Sequence, residues 1–154
     1  KAAFGGAAVT TGLDYTTSAN VAETIKLGAS HDIIRFSATS STYAEMDTIE
    51  GFSLVKNAAG TLDAAASDDI AVDLGAAVTF TKATSTAATF GLALVEIGAA
   101  GVAGDNVVFS YGGDTYIYSD VGANGLTDND VLIKLTGTVD LDLLVSALNT
   151  APGV

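Results

Sequence analysis

The sequence has no cysteine and no tryptophan, one proline, one methionine and one histidine. Without cysteine there is no disulfide, no thiolate nucleophile and no Cys-based metal site. With His31 alone, a His-rich zinc site of the metalloprotease kind cannot be built within one chain. Neither HExxH nor GxSxG is present, and a Ser-His-Asp triad would have to use His31. There is no glycine-rich phosphate loop carrying a lysine. Basic residues are scarce, 6 against 18 acidic ones, for a net charge of -12. Such a chain repels phosphates, which argues against nucleic acid as a partner. No apolar run is long enough to cross a bilayer. Together these gaps argue against an enzyme.

What is present fits one domain. A chain of 154 residues can bury a real core. Its 17 glycines sit mainly at turn-like positions, which favours many short strands over long helices. Asp outnumbers Glu 14 to 4. Asp favours turns and is a short, hard oxygen ligand, so Ca²⁺ is the natural counter-charge. The plainer alternative is an acidic, solubilising surface. The chain begins at Lys1 rather than Met, which points to a processed product or a piece of a longer protein.

The clearest pattern lies between Asn106 and Gly137. Val107 to Tyr111 and Thr115 to Tyr118 are strand-like runs around Gly112-Gly113-Asp114, which predicts a β-hairpin. A Gly/Asn/Asp-rich loop follows from Gly122 to Asp130, then a third strand from Val131 to Leu135. Tyr111, Tyr116 and Tyr118 are expected to pack across strands. Earlier, an acid-x-Ile triplet recurs at Glu23, Asp32, Asp47 and Asp68, with spacings of 9, 15 and 21 residues. Side chains two apart on a strand share a face, so the acid should begin each strand and the Ile should pack inward. Ile70 to Leu74 and Val78 to Lys82 read as a strand pair joined near Gly75. Two helices are expected. One runs over 84–100, capped by Thr84, Ser85 or Thr86, with Phe90, Leu94 and Ile97 on its apolar face. The other runs from Asp140 to Asn149, capped by Asp140, with Leu141, Leu144, Val145 and Leu148 as its stripe. Phe4, Val9, Leu13 and Tyr15 support one or two weak strands, and Pro152-Gly153 ends the chain in an extended tail.

The first spacing equals the period of Ca²⁺-binding β-roll repeats. The stretch TIKLGASHDIIRFSATSSTYAEMDTIEGFS resembles the degenerate β-roll near the end of type I-secreted bacterial surface proteins, the repeats-in-toxin (RTX) and S-layer proteins. That repeat is Gly-Gly-x-Gly-x-Asp-x-apolar-x. Gly28, Asp32 and Ile34 match it, while Leu27 and Ser30 replace its other glycines, and the Asp47 and Asp68 triplets lack the glycines altogether. A second stretch, FSYGGDTYIYSD followed by NDVLIKLTGTVDL, resembles the C-terminal segment of the same proteins.

The expected fold is mainly β, a short degenerate β-roll or β-sandwich with a C-terminal meander and two short helices. Residues 1–20 would be a linker or edge strand and 21–154 a single domain, divided into a roll-like part (21–82), a helix (84–100) and the meander with its terminal helix (104–154). The resemblance implies a non-enzymatic, secreted cell-surface subunit that assembles with copies of itself, stabilised by Ca²⁺, with an uncleaved secretion signal at its end. The alternatives are an adhesin module of an RTX-like surface protein that binds glycans, such as cell-surface polysaccharide, or another surface, or the secretion-signal tail of a larger secreted hydrolase. Candidate metal ligands are Asp32, Asp47, the cluster Asp63, Asp68, Asp69 and Asp73, and the loop acids Asp120, Asp128 and Asp130.

Overall fold

The computed structural model describes residues 12–75, 78–100, 105–122 and 125–150. The expectations for Phe4, Val9 and the Pro152-Gly153 tail lie outside them. Nine strands and two helices follow in order: β1 (Asp14–Thr16), β2 (Thr24–Lys26), β3 (Ile33–Ser37), β4 (Asp47–Glu50), β5 (Asp69–Asp73), β6 (Phe80–Lys82), α1 (Phe90–Ala100), β7 (Asn106–Tyr111), β8 (Asp114–Ser119), β9 (Val131–Leu135) and α2 (Leu141–Thr150). The class is mixed α/β rather than mainly β, because 33% of the described residues are strand, 15% are helix, and the helices help close both cores.

The strands form two largely parallel sheets, ordered β1-β3-β5 and β2-β4-β9-β8-β7-β6. From β1 to β5 the chain alternates between them. All pairings within this part are parallel, with Asp14 opposite Ile33, Ile33 opposite Asp69, and Thr24 opposite Thr48. The acid-x-Ile triplets explain the arrangement. Ile25, Ile34, Ile49 and Ile70 each point inward and are buried. With Phe36, Phe80, Val108, Ile117, Ile133 and Leu144 they make the main core. β5 and β6 therefore do not form the expected pair. They belong to different sheets, β5 to the three-stranded one and β6 to the six-stranded one.

The meander matches its sequence signal. β7 and β8 are antiparallel around Gly112 and Gly113, whose φ values of 61° and 91° suit a two-residue hairpin turn. β9 then returns alongside β8. Five successive residues of β8, from Thr115 to Ser119, are buried, because each face of this sheet meets a core. One face joins the main core. On the other, Phe109, Tyr116, Tyr118 and Leu132 pack against Leu94 and Ile97 of α1. The Phe90 ring lies tilted against Tyr116, with 4.5 Å between ring centroids.

Helix α1 begins at Phe90 rather than in the Thr84–Thr86 run. Thr89 serves as its cap, with its carbonyl accepting the Ala93 amide at 3.0 Å. α2 starts as predicted. Asp140 accepts the amides of Asp142 and Leu143 at 3.0 and 3.3 Å. Its buried face is Leu143, Leu144 and Ala147, so the stripe is rotated slightly from the predicted one. α2 packs against β5, β6 and β7 and so ties the two sheets together.

Candidate functional site

Six acidic residues are buried: Glu23, Asp32, Asp47, Asp68, Asp120 and Asp130. Four of them carry the acid-x-Ile triplets. Each of the four stands at or just before the start of a strand, and the parallel register stacks them into two columns.

In the three-stranded sheet the column is Leu13, Asp32, Asp68. Asp32 Oδ1 accepts the Leu13 amide at 2.7 Å, and its Oδ2 accepts the Gly28 amide at 3.1 Å. Asp68 Oδ1 then accepts the Asp32 amide at 3.0 Å, and its Oδ2 accepts the Ser53 amide at 2.8 Å. Each carboxylate therefore bonds the main chain at the equivalent position one strand earlier. Neighbouring strands lie about 4.8 Å apart, a gap that an Asp side chain spans. In the other sheet Asp47 Oδ1 accepts the Glu23 amide at 2.7 Å. Glu23 ends that column. It turns back to accept the Tyr15 hydroxyl at 2.9 Å and the Ser18 amide at 2.8 Å.

Burial makes these groups unlike surface acids. Burial, followed by the nearby Glu23 carboxylate, raises Asp47 to about 7 against the lowering effect of its amide bond. Burial also raises Asp68. His31 lies beside this second acid, with Nδ1 against the Ser67 carbonyl and Nε2 3.7 Å from Asp69.

The loop after β8 holds the other two buried acids. Asp130 is a hub that accepts the Val121 amide at 3.0 Å, the Thr127 amide at 2.6 Å, the Thr127 hydroxyl at 3.1 Å and the Tyr118 hydroxyl at 3.0 Å. Burial and this carboxylate push the Tyr118 phenol upward. Asp120 Oδ2 accepts the Gly125 amide at 3.1 Å. Asp128 is exposed. Beside the loop lies a cleft of about 310 Å³, with Leu74, Val78 and Val121 on its apolar side and Asn106, Ser119 and Asp120 on its polar side.

The remaining sequence candidates lie apart from these hubs. Asp63 accepts the Ala65 amide within its own turn, and exposed Asp73 accepts the Gly75 amide. Among the described residues no three His, Asp or Glu side chains come together in a way that could hold a metal ion. Asp32, Asp68 and Asp130 already have a donor on each carboxylate oxygen. Two buried side-chain oxygens have no hydrogen-bond partner among the described residues, Asp47 Oδ2 and Asp120 Oδ1.

Sequence reasoning marked the acids but missed their partners. It also missed Asn149, whose side chain accepts the Phe80 amide at 2.8 Å and donates to the Phe80 carbonyl at 3.1 Å. A single Asn in a helix carries no signal for that role. The nearest one is its place in the last turn of an amphipathic helix that must dock somewhere. No protein-family model matches the chain, and no curated protein matches it.

Proposed function

We propose that this chain is a non-enzymatic structural module of a secreted bacterial surface assembly, built as a short two-sheeted β-roll closed by a meander and two helices. The observation that carries the proposal is the path from β1 to β5. Consecutive strands alternate between two largely parallel sheets, and the acids beginning them stack in register. That path is the one a roll takes, and it suits a repeating scaffold better than a catalytic site. The other support is chemical. The buried acids bond the main chain of neighbouring strands, which is a scaffold role.

The proposal includes self-association and stabilisation by Ca²⁺. With no metal-holding group among the described residues, Ca²⁺ would act by offsetting the net charge of -12. The test has two parts. Melting is followed with Ca²⁺ and with a chelator, and the midpoint should rise with Ca²⁺. Concentrated protein is then imaged for lattices or filaments. An unmoved midpoint removes calcium from the proposal, and a protein that stays monomeric at high concentration removes assembly through this module.

The tail of a larger secreted hydrolase and an adhesin module are the other readings. The adhesin loses its best candidate contact, since Tyr116 and Tyr118 are buried under α1.

A further inference from the structure

We propose that the cleft beside β8 binds an alkylammonium group, either a small aliphatic amine or a lysine side chain. Three observations lead there. Asp120, only 3% exposed, lines the cleft, and its Oδ1 has no hydrogen-bond partner among the described residues. Burying a carboxylate oxygen without a donor is costly, so a donor that reaches this carboxylate from the cleft would relieve that cost. Among the described residues no lysine or arginine is free to supply it. Each of the five described Lys and Arg residues is already paired: Lys26 with Glu50, Arg35 with Asp14, Lys56 with Asp140, Lys82 with Asp142 and Lys134 with Asp114.

The third observation selects the ligand class. Ca²⁺ takes six to eight oxygens, whereas this cleft presents one carboxylate, beside Asn106 and Ser119, which already bond each other. Leu74, Val78 and Val121 form the other side. A carboxylate and an aliphatic wall lining one cleft match a monovalent ammonium on an alkyl stem, as a lysine side chain is built. The volume of about 310 Å³ leaves ample room for a group of that size.

The test is a titration followed by methyl NMR, with butylammonium and Nα-acetyl-lysine amide as the two probes and butanol and Ca²⁺ as controls. Saturable shifts at Leu74, Val78 and Val121 are expected with an ammonium probe and absent with butanol. Binding by both probes points to any alkylammonium; binding by acetyl-lysine amide alone points to a protein lysine. Asp120→Asn should weaken binding at least about tenfold, because it removes the charge and keeps the shape. Val78→Phe fills the cleft from its apolar side and should abolish binding, which keeps the test decisive if the first variant fails to fold. Equal binding by Asp120→Asn, no saturable shift in the native protein, or a response to Ca²⁺ instead of the ammonium probes overturns the proposal. None of these outcomes bears on self-assembly, so the two proposals fail separately.

Discussion

Asp47 shows how a single residue can set the pH response of this fold. It is fully buried at the start of β4, with one oxygen on the Glu23 amide and the other without a partner among the described residues. Its folded pKa of about 7 lies above its ordinary value of 3.8. The folded state therefore binds the proton more tightly than the unfolded chain. This contribution is fully present below about pH 4 and is lost as pH rises to about 7. Asp47→Asn should remove that slope. Urea midpoints at pH 5 and pH 8 should differ less in the variant than in the native protein, by an amount worth roughly 2–4 kcal/mol. Asp114 and Asp140 titrate with the opposite sign, held low by Lys134 and Lys56. Their stabilisation is lost only as pH falls below the ordinary carboxylate range, outside this window. Asp32 makes a second point. Asp32→Ala strands the amides of Leu13 and Gly28, which should cost about 2–4 kcal/mol of unfolding free energy. Asp32→Asn keeps an acceptor oxygen, so the same denaturation series should show about half that loss.

Among the elements, α2 has the clearest structural role. β6 is the last strand of its sheet, and an open strand edge invites pairing with other chains. Asn149 meets that edge with its own carboxamide and satisfies both main-chain groups of Phe80. Asn149→Ala should therefore lower stability by about 1–3 kcal/mol and raise self-association, both readable by melting and light scattering. An unchanged melt would show that the two bonds add nothing net. This element was half legible in the sequence. Asp140 as cap and the Leu stripe follow from local rules, but the Asn149 contact joins residues 69 positions apart and leaves no local trace. The same limit explains β5 and β6. Each reads correctly as a strand, yet adjacency in sequence suggested a pair. Only the core between the sheets separates them.

In the whole molecule, cover is uneven. β8 and β9 lie inside the six-stranded sheet, with α1 on one face and the main core on the other. β1 and β2 each lie at one end of their sheet and are three residues long. Native-state hydrogen exchange should accordingly be slowest in β8 and β9 and fastest in β1 and β2. Uniform protection would mean that the molecule opens only as one unit. The charge is also unevenly placed. Five acids are offset by Lys or Arg, and six are buried. The strongly acidic composition is thus partly internal structure rather than surface.

The sequence by itself determined the strands, the hairpin turn, the inward Ile positions and the acids that begin the strands. Each rests on local physics: a two-residue side-chain period, positive φ at Gly112 and Gly113, and the preference of Asp for turns and caps. Only the tertiary structure decided what those acids do. The parallel register sets Asp32, Asp47 and Asp68 one strand spacing from a main-chain amide, and no local pattern encodes that distance. The fate of the tyrosines was also decided there, because whether Tyr116 and Tyr118 meet a partner or the core depends on where α1 comes to rest. Spacing supplied the residues, and packing across the two sheets supplied their partners.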